Sequence, residues 1–292
     1  MKTARPYRHY RIPWYLTGVF PFTLLLCIVL LVPTVWTLFI SLHNWRFGYP
    51  MRFTGLSNYR AVLSDPWFWR SVRITLIFTV STVLAEFALG LSFALILLQK
   101  FPFRKLWIAL LLSPYAISPV VAAASWKYLL NPAGMVNYLL SFLKLPPVPW
   151  LSNSAVALIS LCITNVWLSY PFIMLIAYSA ISSLPLEMFE APLVDGASYW
   201  QRFRYVTFPL ISPALLIAIV FRLIIALRTF DIVWLMTQGG PVRATELLGI
   251  QLYRVGFRYW QFGTGSAIAW MIFLMTLCIA IPYIKLTYRR VT

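Results

Sequence analysis

The chain has 292 residues, of which 61% are apolar and 11% charged, with a mean hydropathy of +0.80. A spanning helix needs about 20 apolar residues, so this balance excludes a water-soluble globular protein and leaves room for several spans with no separate soluble domain. The net charge of +17 is spread between apolar runs, where Lys and Arg set orientation and meet anionic headgroups, so membrane lipid is an expected partner and nucleic acid is not.

Residues 1–13, with Lys2, Arg5, Arg8 and Arg11, form a basic N-terminal segment ahead of an apolar stretch. That stretch, residues 14–40, is too long for the core of a signal peptide and is closed by no small-residue cleavage pattern, so it reads as a retained first transmembrane helix. Residues 41–72 mix Trp, Tyr and Arg and read as an extracytoplasmic interfacial segment. From 73 to 286 five more apolar runs follow: Ile74–Leu98, Leu106–Leu130, Ala155–Ile181, Phe208–Met236 and Ala267–Ile284. Residues 287–292 form a tail.

An all-α membrane protein of six transmembrane helices is the expected fold class, with both termini on one side. The basic N-terminus, Lys100, Arg104, Lys105 and the tail residues Lys285, Arg289 and Arg290 share that side, which is therefore cytoplasmic. The bias is not clean, because Arg46, Arg52, Arg60, Arg70, Lys144, Arg243, Arg254 and Arg258 fall on the other side. Pro114 and Pro119 interrupt the third run and Pro171 the fourth. Each removes a backbone donor that lipid cannot replace, which leaves two readings open, a packing kink or a break bordering a translocation path. Cys27, Cys162 and Cys278 lie singly inside apolar runs, so no metal site or disulfide framework is expected and they read as small buried hydrophobes.

Between the fourth and fifth runs, residues 182–207 hold Glu187, Glu190 and Asp195, three of seven acidic residues in the chain. Such a concentration marks a protein-facing surface. Gly196 can supply a left-handed turn, Ser198 can cap the next helical piece, and Pro209 opens the fifth run where a missing N–H does little harm. A short amphipathic helix along the membrane is expected here.

This segment resembles the signature loop of binding-protein-dependent ABC importer permeases, through Glu190, Ala191, Asp195, Gly196, Ala197, Val206 and Pro209. The sequence departs from the family pattern at Pro192, Val206 and Phe208. A second stretch, Thr237-Gln238-Gly239-Gly240-Pro241, with the preceding Arg228 to Asp231, is similar to the maltose-type, first-subunit sugar permeases. The resemblance implies a type I ABC importer permease fold in a bacterial or archaeal cytoplasmic membrane. It also implies partners: a second permease, two ATPase subunits that dock on Glu187, Glu190, Ala191, Asp195 and Gly196, and an extracytoplasmic solute-binding protein. The chain has no Gly-x-x-x-x-Gly-Lys-Ser/Thr loop, so ATP and magnesium belong to the partner ATPases and no cofactor is expected here. His9 and His43 lie outside the spans and no carboxylate pair has catalytic spacing, so no catalytic residue is expected.

Ionisable groups within spans are functional candidates, and here they are Glu86, Arg222, Arg228 and Asp231. Arg228 and Asp231, three residues apart, are spaced to pair along their own helix. Arg222, Ala226 and Thr229 share one face by their spacing. The resemblance implies that this face, with Asn165 and Ser169 of the fourth span, lines the path of a sugar substrate, with Trp167 or Tyr170 offering a ring face. Arg222 has a competing role as the structural partner of Glu86. Two alternatives stay open: a permease for glycerol phosphate or another anionic solute, because Arg222 is a cation, and an ion-coupled secondary transporter, which requires paired intramembrane acids and repeats that the sequence does not display.

Overall fold

The computed structural model describes residues 13–185, 187–188 and 196–288, and almost all of its regular structure is helical. The first apolar stretch forms α1 (Pro13–Ser41), whose side chains from Val19 to Phe39 point outward along nearly its whole length. A helix apolar on every side and bare of protein cover is a lipid-facing span. It rests mainly against α12 (Phe262–Tyr288).

The chain then turns through a two-residue antiparallel pair, β1 (His43–Asn44) and β2 (Arg52–Phe53), in which His43 faces Phe53 and Asn44 faces Arg52. Buried Asn58 of α2 (Ser57–Ser64) fastens this corner by donating to the Ser41 and His43 carbonyls at 2.8 and 2.9 Å. Asp65 caps the next helix, accepting from the Trp67 N–H at 2.9 Å, and Pro66 occupies its first turn. The second span, α3 (Pro66–Leu97), therefore starts at Pro66 and takes in residues expected to lie outside the helical core.

The third run is not one helix. α4 (Arg104–Leu112) passes through a 3-10 turn at Ser113–Ala116, and α5 (Pro119–Leu129) leaves at 99°. Pro119 holds Ser118 in extended backbone, and the Ser118 hydroxyl caps the new helix. Among the described residues, five helices are long and apolar enough to span, or six when this bent pair counts as one. Pro171, by contrast, sits buried within an uninterrupted α7 (Ser154–Ser182). Short α6 (Met135–Phe142) lies between α5 and α7 in the chain.

Gly196 is left-handed at φ +74°. Ser198 then makes a reciprocal cap with Gln201: the Ser198 N–H donates to the Gln201 side chain at 2.8 Å and the Gln201 N–H donates to the Ser198 hydroxyl at 3.3 Å. The helix so started, α8 (Tyr199–Arg202), continues through a π-helical turn, Phe203–Thr207, into α9 (Phe208–Leu227) as one membrane-length rod. The residues after the cap thus belong to the fifth span. The expected run Phe208–Met236 is in fact two helices, because α9 stops at Leu227 and α10 (Asp231–Met236) starts separately. Two short pieces, α5 and α10, cover each other.

The core is centred on α3 and α7, the most extensively packed helix pair. Their crossing is set by Gly90: a Cβ there would meet the Met174 backbone nitrogen at 2.8 Å and the Tyr170 carbonyl at 3.0 Å. Around this crossing, Leu91, Ala94 and Leu97 pack with Met174, Ala177, Ile211 and Leu215, joining α3, α7 and α9. Nearer the other end, Phe78, Leu161, Val233 and Ile250 join α3 and α7 to the short helices, including α11 (Leu248–Tyr253). Cys27 and Cys278 are exposed on the outer face and Cys162 is half-buried, which corrects the expectation of three buried thiols. Lipid is an apolar solvent, so a small hydrophobe is at home on that surface.

Candidate functional site

Glu86 on α3 is fully buried and Arg222 on α9 is 5% exposed. Arg222 donates through Nε to Glu86 Oε2 at 2.7 Å and through Nη2 to Oε1 at 2.8 Å, the two-pronged geometry in which a guanidinium matches a carboxylate. Asn165 of α7 adds its Nδ2 to the same Oε1 at 3.0 Å. Three spans are thereby tied at one carboxylate. The pairing of Arg222 with Glu86 is realised, and Asn165 is a third member that spacing alone did not reveal.

Beside this knot lies an open cleft of about 490 Å³. Asn165 and Ser169 of α7, Arg222 of α9, and Arg228, Thr229 and Asp231 beyond its end give the cleft its polar groups. Tyr115, Ile117 and Pro119 form a wall from the break between α4 and α5, so the proline-rich interruption does border the cleft. Arg222 Nη1 and Asn165 Oδ1 have no protein partner among the described residues, and neither is an orphaned buried atom, so a donor and an acceptor remain free at its edge.

Four of the five residues expected on one path, Asn165, Ser169, Arg222 and Thr229, therefore share a cleft. Ala226 does not: it is completely buried in helix packing. Arg228 and Asp231 do not pair along one helix, because α9 ends at Leu227, ahead of both, Asp231 opens the separate α10, and no ion pair joins them among the described residues. Both are exposed and line the cleft instead. Trp167 and Tyr170 face away, toward a separate apolar groove between α3 and α7, where Trp167 packs on Trp126 and the Tyr170 hydroxyl donates to the Leu111 carbonyl at 2.9 Å.

The Thr237 to Pro241 stretch lies past the far end of α9 from Gly196 and forms a tied corner. Gly239 is left-handed at φ +87°. Thr237 and Thr245 hydroxyls meet at 2.8 Å, and the Thr245 hydroxyl donates to the Gly240 carbonyl at 2.6 Å. Behind them Glu246, 1% exposed, accepts from Arg243 and, at 2.5 Å, from Arg254. The Glu246 hydrogen bond holds the Arg243 guanidinium above its ordinary pKa, and its charge lies 4.1 Å from the centre of the Trp67 ring. Glu246 was missed by sequence reasoning, although one acid among three arginines within a dozen residues was a signal. Also missed was a buried hydroxyl stripe on α3, Ser71, Thr75, Thr79 and Thr82, leading to Glu86. Its signal was the spacing by four and three residues inside an apolar run. Thr75 uses its hydroxyl to accept from the Leu248 N–H at 2.9 Å, anchoring α11 to α3.

Of the residues expected at the ATPase-docking loop, Glu187 is exposed and Gly196 makes the left-handed turn. Glu190, Ala191 and Asp195 lie outside the described residues.

A family model described as binding-protein-dependent transport system inner membrane component matches residues 20–286. The trehalose/maltose transport system permease of Thermococcus litoralis is 37% identical over 278 residues, covering 93% of each chain. The trehalose transport system permease of Mycobacterium tuberculosis is 34% identical over 270 residues, covering 92% of this chain and 86% of its own. Among solved structures, a bacterial alginate ABC transporter in complex with alginate pentasaccharide-bound periplasmic protein aligns over 94% of each chain with a TM-score of 0.82 at 22% identity, a likeness of fold.

Proposed function

Because this chain belongs to the family of binding-protein-dependent transport system inner membrane components, we propose that it is the permease subunit of an ATP-driven importer for a sugar or oligosaccharide. It forms the translocation path with a second permease, receives solute from an extracytoplasmic binding protein, and leaves ATP hydrolysis, with its magnesium, to two partner ATPases. Both termini lie in the cytoplasm on this reading. The observation that carries the solute path is the cleft where Asn165, Ser169, Arg222 and Thr229 converge beside the α4–α5 break. Hydroxyl-bearing solutes suit such a site, because every polar group there is a hydrogen-bond donor or acceptor set in apolar walls.

The anionic-solute reading rested on Arg222 as a cation in the cavity, and the pairing of Glu86 with that charge disfavours it. Relatives named for trehalose and maltose support a neutral sugar. Energy enters, on this reading, as movement of the loop around Glu190 to Gly196, which in chain order falls between α7 and the rod of α8 and α9.

ATP-dependent uptake of labelled trehalose and maltose into proteoliposomes, with and without the binding protein, tests the assignment. Uptake independent of ATP and of the binding protein would remove it. In the same vesicles Glu190→Lys and Gly196→Pro are expected to insert normally and uncouple hydrolysis from uptake, since proline cannot take the φ of +74° at position 196. Wild-type uptake in both variants at equal expression removes the docking role of this segment.

A further inference from the structure

We infer that Glu86, which does not itself line the cleft, is the residue that holds the cleft electrically neutral around Arg222 and thereby sets its preference for uncharged over anionic sugars. This rests on the reading of the cleft as the solute path. Both carboxylate oxygens of Glu86 are engaged, Oε2 by Arg222 and Oε1 by Arg222 and Asn165. Opposite charges in contact leave only a dipole, whose field falls off much faster than that of a single charge. Without the carboxylate, a whole positive charge would stand at the wall of a poorly polarisable cleft and draw anions into it. Among the described residues, the other charged groups lining the cleft are Arg228 and Asp231, one of each sign. The sum is zero only while Glu86 is ionised and in place.

The pair has a second effect that two apolar residues would not give. Glu86 takes Nε and Nη2 of Arg222 and the amide of Asn165, so it fixes how both side chains sit. Their free atoms, Nη1 and Oδ1, then stand as a donor and an acceptor suited to neighbouring hydroxyls. Glu86 is thus a positioning residue acting through Arg222 and Asn165.

The charge can be read without any sugar. In a complete importer whose Cys27, Cys162 and Cys278 are replaced by serine, Thr229→Cys provides a thiol on the cleft. Its reaction rates with anionic 2-sulfonatoethyl and cationic 2-(trimethylammonio)ethyl methanethiosulfonate are compared at low salt. Glu86→Gln keeps the shape and is expected to raise the anionic-to-cationic rate ratio roughly fourfold or more, the effect of one charge about 10 Å away at the dielectric of water. Glu86→Gln with Arg222→Gln is expected to return the ratio to the wild-type value. A merely structural Glu86 would change stability, or both rates together, and leave the ratio alone; an unchanged ratio in Glu86→Gln overturns the inference. So does a severalfold shift in the double variant, an arm that holds even where the single variant fails to insert. The path reading is tested separately by trehalose uptake before and after labelling Thr229→Cys. Uptake untouched by labelling removes the path and leaves the charge result standing, whereas blocked uptake with an unchanged ratio removes only the role of Glu86.

Discussion

Breaking the Glu86–Arg222 pair from one side and from both sides is expected to give an ordered series of stabilities. Glu86 is fully buried and Arg222 nearly so, and removing one partner of such a pair costs about 3–5 kcal/mol because the other charge is stranded. The two single changes are not equivalent. In Arg222→Ala the orphaned carboxylate keeps the Asn165 amide at 3.0 Å and can take up a proton, so the loss falls near the low end, about 3 kcal/mol. In Glu86→Ala the guanidinium cannot shed its proton and loses both of its hydrogen bonds, so the loss approaches about 5 kcal/mol. The double alanine variant strands no charge and retains only the cavity penalty of two truncated side chains, so it is expected to be more stable than Glu86→Ala alone. The favourable coupling between the two sites should be about 3 kcal/mol or more. Thermal unfolding of the four purified importers in detergent, followed by tryptophan fluorescence and by size-exclusion recovery, measures the order. A double variant whose loss equals the sum of the two single losses would refute the reasoning, since additivity means that neither charge depends on the other.

At the α3–α7 crossing, Gly90→Ala places a methyl 2.8 Å from the Met174 backbone nitrogen and is expected to cost about 1–3 kcal/mol through overpacking; Gly18→Ala, with nothing within 4 Å, is the control, and equal melting temperatures for the two would contradict the close contact. Gly239→Ala puts a side chain on a residue at φ +87° and 3.1 Å from Ile250 Cγ2, with an expected loss of about 1–3 kcal/mol. Its check is thermal unfolding beside Gly48→Ala, at φ +81° with open space around it, which isolates the backbone strain from the clash. Glu246→Gln removes the carboxylate shared by Arg243 and Arg254 and is expected to loosen the corner by about 3 kcal/mol or more; faster tryptic cleavage at Arg243 or Arg254 in intact vesicles reports it, and unchanged cleavage counts against the corner.

How much was legible in the sequence varies by physical cause. Local rules carried the spans, because lipid demands long apolar helices whatever their neighbours, and α1, α3, α7 and α12 all appear where apolar runs lie. Local rules also carried the turn at Gly196, the cap at Ser198 and the presence of a break near Pro114 and Pro119, since each depends on the backbone chemistry of the residue itself. Chain order alone could not say that the break is a 99° corner, that α9 stops at Leu227, or that α10 folds onto α5, because an apolar run looks the same whether it crosses the membrane straight or turns to pack on itself. The side-chain partners were decided in the same way. Periodicity put Ala226 on a face that the family resemblance assigned to the path, and spacing joined Arg228 to Asp231, yet packing buried the first and α9 stops at Leu227, ahead of the other two. Glu86 and Arg222 were recognisable in sequence as charges that need a partner, 136 positions apart. That Asn165 joins them, and that one carboxylate fastens three helices beside the cleft, follows only from the crossing of α3, α7 and α9, a contact between distant segments that no local pattern encodes.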